Sequence, residues 1–303
     1  MWIGDKMKVQ VLMATYNGEK YIRAQLDSIL NQDGVEVQIL VRDDGSQDNT
    51  LNILREYATK GALEWYKGEH LNVAQGYLEL IQRANSSADY YAFSDQDDVW
   101  DNDKLAIACH QLNYQSQTVP SLYFCGQTLV DSNLAELSIH RLNDKRNLTS
   151  RFIYSGNAGC TTVFNRRLAK LVNEYSPSYS MMHDSWLLKV CLCTGGTVIA
   201  DPDTHMKYRQ HGNNTVGLGV GLKAQIQQLK QYLFTFNVEQ QMSCLWEGYS
   251  NQMLPEFAEI TNRIRGYRRN LSDRLWLLSL RNISFGDWKF NLVYLLAVLT
   301  NNL

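Results

Sequence analysis

The chain reads as an α/β protein: a mostly parallel sheet flanked by helices on both faces, with a helical C-terminal extension. Three observations predict this. Apolar runs of strand length alternate with segments of helical periodicity between residues 9 and 112. Polar turns rich in Asp, Asn and Gly follow the apolar runs, at 15–18, 42–46 and 95–98. Beyond residue 222 the pattern is helical and rich in Arg, Leu and aromatic residues. The polar, Gly-rich stretch 210–221 divides a principal unit, residues 1–217, from an extension, residues 218–303.

Residues 9–14 are the first predicted strand, and residues 1–6 are expected to be dispensable. The turn Thr15-Tyr16-Asn17-Gly18 leads into a helix over 19–31, where Tyr21, Ile22, Leu26, Ile29 and Leu30 recur at helical spacing until Gly34. A second strand, 35–41, ends in Arg42-Asp43-Asp44-Gly45-Ser46, and Asp48, Asn49 and Thr50 can cap a helix over 51–57. A strand over 63–67, a loop over 68–72, a helix over 73–85, a strand over 90–94 and a helix over 103–112 follow. Farther on, 121–130 is a strand and 152–164 is a Gly- and small-residue-rich stretch ending in a strand. Helices are predicted over 166–174 and over 183–193, the latter opened by Asp184, with short strands at 197–200 and 203–209. Such sheets bind ligands beyond the carboxyl ends of their strands, so a site is expected from the loops at Tyr16 and Asn17, Asp43 and Asp44, and Asp95 to Asp98.

The 303 residues suit one large domain or a domain with an appendage, and a hydrophobic fraction of 45% suffices for a full core. A net charge of −2 gives no reason to expect nucleic acid as a partner. The six cysteines lack zinc-type pairing, and Cys191-Leu192-Cys193 is too tight for a zinc knuckle. They are read as buried thiols of a reducing compartment. No signal-peptide pattern and no apolar stretch of about 18 residues is present, so a cytoplasmic location is expected.

Asp95-Gln96-Asp97-Asp98 carries the most information. It follows an aromatic, apolar strand, and three carboxylates there repel one another unless something neutralises them. Mg²⁺ or Mn²⁺ accepts carboxylate oxygens and shares its remaining positions with water and substrate phosphates. The alternative is an acidic turn capping the helix near 103. Asp43 and Asp44 occupy the same setting after the second strand.

Taken in order, Leu12-Met13-Ala14-Thr15-Tyr16-Asn17-Gly18, Arg42-Asp43-Asp44-Gly45-Ser46 and Asp95-Gln96-Asp97-Asp98 resemble the nucleotide-sugar half of the family 2 glycosyltransferases. Asn157-Ala158-Gly159-Cys160, His183-Asp184 and Tyr208-Arg209-Gln210-His211-Gly212-Asn213-Asn214 also fit, the last two being similar to a bacterial rhamnosyltransferase-like branch. The likeness covers roughly residues 8–217. It implies the GT-A fold with its Rossmann-like sheet, and inversion at the anomeric carbon. It further implies a nucleotide-sugar donor, dTDP-rhamnose or alternatively a UDP-hexose, and a lipid-linked or oligosaccharide acceptor in surface-polysaccharide synthesis.

An inverting transfer requires a neutralised leaving diphosphate, a base for the acceptor hydroxyl and in-line placement. The resemblance implies Asp97 as principal metal ligand, Asp95 on the ribose or on the metal through water, and His211 on metal or phosphate. Asp98 either supports these ligands or caps the next helix. Thr15, Tyr16, Asn17 and Glu19 would hold the nucleoside, and the loop 68–72 either approaches it or does not. Asp44, beside Asp43, would accept the N3 proton of a pyrimidine while Tyr16 covers the ring; the alternative is a turn and helix cap. Arg209 would grip a phosphate bidentately. Asp184 is the candidate base, or a helix cap. His183 replaces the family's Glu and would orient Asp184, raise its basicity or contact the acceptor. Trp186 stacks on a sugar or packs in the core.

In the extension, Arg263, Arg265, Arg268, Arg269, Arg274 and Arg281 are interleaved with Tyr267, Leu271, Leu275, Trp276, Leu277 and Leu280. The apolar run 288–299 is too short to span a bilayer. It either lies in the membrane interface, making the protein peripheral on the inner face of the plasma membrane, or forms a lid or homo-oligomer contact. Two other functional classes share parts of this pattern. A nucleotidyltransferase also presents acidic strand ends to Mg²⁺, but normally with a Gly-rich basic loop where this chain has Thr15-Tyr16-Asn17-Gly18. Against a non-catalytic nucleotide-sugar binder stands the intact set Asp97, Asp184 and His211.

Overall fold

The computed structural model describes residues 6–69, 71–142, 146–211 and 236–303. Gly212, Asn213, Asn214 and the expected boundary near 217 lie outside them. The strands are β1 (Met7–Thr15), β2 (Val35–Asp43), β3 (Glu64–Lys67), β4 (Tyr90–Ser94), β5 (Val99–Trp100), β6 (Ser121–Val130), β7 (Glu136–His140), β8 (Val163–Asn165) and β9 (Thr197–Arg209). The helices are α1 (Ile22–Leu30), α2 (Thr50–Thr59), α3 (Val73–Arg83), α4 (Lys104–Asn113), α5 (Leu148–Ile153), α6 (Arg166–Asn173) and α7 (His183–Cys193). Four more follow: α8 (Val238–Tyr249), α9 (Pro255–Gly266), α10 (Leu271–Leu277) and α11 (Trp288–Leu299).

The sheet order is β3-β2-β1-β4-β8-β6-β9-β5, with β7 paired to β6. β1 to β4 are mutually parallel, as the alternating pattern predicts. β8 runs antiparallel to both neighbours, β4 and β6, so the second half is mixed. Successive side chains of a strand point to opposite faces, and the core divides accordingly. Val9, Val11 and Met13 of β1 join Ile39 and Val41 of β2 and Tyr90 and Ala92 of β4 under α1, α2 and α4. Leu12, Leu40, Tyr91 and Phe93 face the other way, onto α3, α6 and α7.

The helices beyond residue 236 join that second core rather than standing apart. Val238, Met242, Leu245, Tyr249, Phe257, Ile260 and Ile264 pack in one cluster with Leu171 of α6 and Trp186 of α7. Tyr249 also donates its hydroxyl to Leu171 O at 3.0 Å. The packing alternative for the extension therefore describes α8 and α9. Trp186 is fully buried there, its ring 6.3 Å from Tyr175 and 6.1 Å from Tyr249. It is a core residue and not a sugar platform, because it is fully buried among aromatic side chains and lines no cavity at the helix end that carries Asp184.

β9 is one strand where two were expected. Asp201-Pro202-Asp203 reads as a break, yet the pairing with β6 resumes after a bulge opposite Gly126. A Cβ on Gly126 would lie 2.8 Å from His140 O and 3.0 Å from Pro202 O, so the bulge requires glycine at this point.

Candidate active site

Parallel register brings the predicted loops together. Thr15 lies beside Asp43 and Met13 beside Ser94, so β1, β2 and β4 end side by side. Their loops form one wall of a cavity of about 890 Å³. Gln96 joins two of them: its Oε1 accepts Thr15 Oγ1–H at 2.5 Å and Tyr16 N–H at 2.9 Å, while its Nε2 donates to Tyr16 O at 3.1 Å. This close approach needs Gly18, where a Cβ would fall 2.4 Å from Gln96 Oε1. Asn17 takes a left-handed φ of 49°, which Asn tolerates, and its Oδ1 accepts Gln47 N–H at 2.8 Å.

Three of the expected ligand residues, Asp43, Glu19 and Arg209, do not line the cavity. Asp43 is fully buried, and its carboxylate accepts Gly45 N–H, Ser46 N–H and Ser46 Oγ–H at 2.5–3.0 Å. It builds the turn that presents Asp44 and does not itself line the cavity. Glu19 accepts Asn49 N–H at 2.8 Å and so ties the first loop to α2, outside the cavity. Arg209 directs Nε to Asp97 O at 2.8 Å and Nη1 to Ser132 O at 2.6 Å, with its guanidinium 4.4 Å over the Tyr21 ring. Through these two carbonyls it braces the acidic loop. Thr15, Tyr16, Asn17 and Asp44 do line the cavity, and Asp44 is ion-paired to the buried Arg42.

The acidic run separates into distinct tasks. Asp95 and Asp97 line the cavity, and Asp97 Oδ2 meets His211 Nε2 at 2.6 Å. The His211 ring stacks on Tyr21 with centroids 5.1 Å apart. Asp95 instead converges with Asp98 and Cys160, their ligand atoms lying within 4.8 Å of one another. The expected set of Asp95, Asp97 and His211 is thus present as a pair plus a neighbour. Burial, then the charge of Asp97, pushes the Asp95 acid up to about 6. Crowded carboxylates facing a cavity, one of them held by an imidazole, suit a hard divalent cation. Asp98 is buried and accepts Arg209 N–H at 3.2 Å. It ties the acidic loop to the end of β9, and Asp103 holds the position before α4, so the helix-cap alternative for Asp98 is excluded.

The opposite wall carries the first turn of α7. Asp184 is buried at the cavity, with Oδ1 accepting Ser185 N–H at 2.6 Å. Met182 occupies the cap position, so Asp184 lies inside the helix, where the macrodipole favours a carboxylate. Burial outweighs this and pushes its acid up to about 7. His183 does not orient it. The imidazole stacks on Tyr77 at 3.9 Å and meets the Phe93 edge at 4.7 Å. Burial pushes it down to about 3, so it is neutral. A Cβ on Gly159 would lie 2.4 Å from His183 Nε2, which explains the glycine of the Asn157-Ala158-Gly159-Cys160 motif. Tyr77 bridges the two walls, its hydroxyl 2.7 Å from Ser94 O and 3.1 Å from Asp95 Oδ1.

Two lysines, Lys104 and Lys189, are fully buried beside the site. Lys104 donates to Cys160 O at 2.6 Å and lies 3.4 Å over the Trp100 ring, and burial lowers it to about 8. Lys189 lies within α7, below Asp184. Lys189 is a lone cation in an otherwise apolar segment, and that pattern is its available signal, whereas Lys104 follows Asp101-Asn102-Asp103 and offers none.

Residues 10–172 match the description "Glycosyl transferase family 2". A dTDP-rhamnosyl transferase of Shigella flexneri, RfbG, is 31% identical over 240 residues, covering 72% of this chain and 78% of that protein. Among solved structures, Staphylococcus aureus TarS 1-349 in complex with UDP-GlcNAc superposes with a TM-score of 0.59. It is 18% identical and covers 98% of this chain and 82% of that one. A Pyrobaculum calidifontis mannosyltransferase with GDP-Man and Mn²⁺ gives a TM-score of 0.53 at 17% identity, covering 100% and 90%. A GT-A sheet carrying these loops, together with the family match over more than half the chain, makes this protein a member of glycosyltransferase family 2.

Proposed function

We propose that the chain is a metal-dependent, inverting glycosyltransferase that moves L-rhamnose from dTDP-rhamnose to a lipid-linked saccharide. The observation that carries this reading is the placement of Asp184 across one cavity from Asp44, Asp95 and Asp97. The acceptor hydroxyl gives its proton to Asp184 Oδ as its oxygen bonds to the anomeric carbon. The bond from that carbon to the diphosphate breaks, and the electron pair leaves with dTDP. Thr15, Tyr16, Asn17 and Asp44 hold the nucleoside, and Gln96 keeps the two loops in fixed relation. Asp97, Asp95 and His211 hold Mg²⁺ or Mn²⁺, which supplies positive charge to the leaving diphosphate. The rhamnose assignment draws on the relative from Shigella flexneri. A UDP-hexose is the second reading, favoured by the UDP-GlcNAc complex of TarS and by an Escherichia coli UDP-Glc-dependent glucosyltransferase, WfgD, 25% identical over 184 residues.

A thermal-shift panel of dTDP-rhamnose, UDP-glucose and UDP-GlcNAc, each with and without Mn²⁺, separates these readings. At about 100 times its dissociation constant the true donor adds ~2.7 kcal/mol of stability. Asp97→Asn is expected to erase the part of that gain that depends on Mn²⁺. No shift with any of the three would sink the donor assignment.

For the extension, a peripheral membrane role is supported by one face of α11. Trp288, Leu292, Leu296 and Leu299 recur along one stripe and are exposed by 71, 49, 47 and 55%. Leu271 and Leu275 of α10 are exposed as well, and Arg274 beside them bonds Asn301 past the end of α11. An apolar stripe flanked by Arg and Lys suits anionic lipid. No described helix is long and apolar enough to cross a membrane. The intact protein is expected to pellet with phosphatidylserine vesicles at low salt, and a Leu292→Ser, Leu296→Ser variant to remain in solution. Equal recovery of both in the supernatant leaves α11 a lid or subunit contact.

A further inference from the structure

Lys189 sits one turn below Asp184 and is fully buried. Its neighbours in α7, Leu187, Leu188, Val190 and Cys191, are buried apolar residues, so packing alone gives no reason for an ammonium. Nζ donates to Ser185 Oγ at 2.6 Å and to Ser155 Oγ at 3.2 Å, and Ser155 Oγ donates to Ser185 Oγ at 2.9 Å. Ser185 then gives its backbone N–H to Asp184 Oδ1 at 2.6 Å. Ser155, Ser185 and Asp184 line the cavity, with Lys189 behind them. Hydroxyls solvate a buried cation without neutralising it, and only an opposite charge offsets the remaining desolvation cost.

Few charges face this pair. Asp184 attracts the ammonium, Arg146 before α5 repels it, and Asp95 beyond β4 repels Asp184. From α8 comes the neutral Gln241, its Nε2 3.5 Å from Ser185 Oγ. From α3 comes Tyr77, stacked on a neutral His183. Burial moves both groups toward neutrality, Asp184 up and Lys189 down, and their mutual attraction offsets part of each shift.

We propose that Lys189 is a positioning residue for Asp184: it fixes Ser155 and Ser185 behind the carboxylate and supplies its countercharge. This rests on Asp184 acting as the base, so the test reads the carboxylate directly as well as the reaction. The full chain is labelled with ¹³C at the aspartate carboxyls, and the Asp184 signal is identified by its loss in Asp184→Asn. Lys189→Met keeps length and apolar fit while removing the charge. Its Asp184 titration midpoint is expected about one pH unit higher, a tenfold gain in proton affinity. Lys189→Arg is expected to hold the wild-type midpoint. Ser185→Ala, which removes the Oγ link but retains the lysine, is expected to move it upward by less. The pH profile of dTDP release from dTDP-rhamnose with Mn²⁺ should follow the same order. An unmoved midpoint in both Lys189→Met and Ser185→Ala overturns the proposal. A midpoint that moves in a protein releasing no dTDP counts against the donor and leaves the link between Lys189 and Asp184 standing.

Discussion

Asp184→Asn is expected to lower turnover by about 10²–10⁴-fold, the usual contribution of a general base, while donor affinity stays within error. The amide is isosteric and can still accept Ser185 N–H, the one hydrogen bond to the native carboxylate described above. What it loses is the capacity to take a proton. The wild-type rate also carries a pH signature. With the acid raised to about 7 by burial, the carboxylate is the minority form below that pH, so the rate climbs through about 7 and levels above it. His183 contributes no limb there, because burial lowers it to about 3 and it stays neutral across the range. The measurement is steady-state release of nucleoside diphosphate from the donor that stabilises the protein most, with donor binding by calorimetry alongside. Near-normal turnover in the Asn variant would place the base elsewhere.

A chain ending at residue 236 is expected not to fold. Such a cut removes Met242, Leu245, Tyr249, Phe257 and Ile264 from a core that also holds Leu171, Trp186 and Leu188. Deleting one buried leucine typically costs about 2–5 kcal/mol, and whole domains are stable by only about 5–15. Leu245→Ala alone should therefore lower the unfolding midpoint by several degrees without changing the chemistry. Thermal unfolding followed by near-UV circular dichroism reads both variants. A truncated chain that melts cooperatively near the wild-type temperature would make the extension a true appendage.

Much of the sheet was legible because its signals are local. β4 is a compact aromatic and apolar run and β6 opens on another, Leu122 to Cys125, and the observed limits of both strands are the predicted ones. β5, β7 and α5 were not read. β5 is two residues long, and β7, Glu-Leu-Ser-Ile-His, alternates polar and apolar over only five residues, with Leu137 and Ile139 exposed on the sheet edge. α5 is a single short helix that lies mostly ahead of the Gly- and small-residue-rich stretch 152–164, at residues for which no element was expected. The site was legible in part for the same reason. Asp95, Asp97, Asp184 and His211 stand in ordered motifs at element ends, and four of the nucleoside-side residues reach the cavity. Asp43, Glu19 and Arg209 stand in equally good motifs, yet their side chains turn inward to backbone partners. Which way a turn residue points depends on partners 30 to 112 positions away for Glu19 and Arg209, and no local pattern encodes that.

The two cavity walls rest on different foundations, and this bears on how such a protein can diverge. The wall with Thr15, Tyr16 and Asp44 is carried by β1 and β2 and braced by Gln96. The wall with Asp184 is anchored from beyond residue 236: Gln241 of α8 accepts Met181 N–H at 2.6 Å just before α7 begins. Among the described residues, no hydrogen bond or ion pair of Thr15, Tyr16, Asn17 or Asp44 reaches α8 to α11, so substitutions there leave those helices in place. Substitutions around residues 154–159 or 181–185 must be matched by α8 and α9. Heritable change should thus come in two blocks, one free to drift alone and one in which α5, α7 and the C-terminal helices descend together.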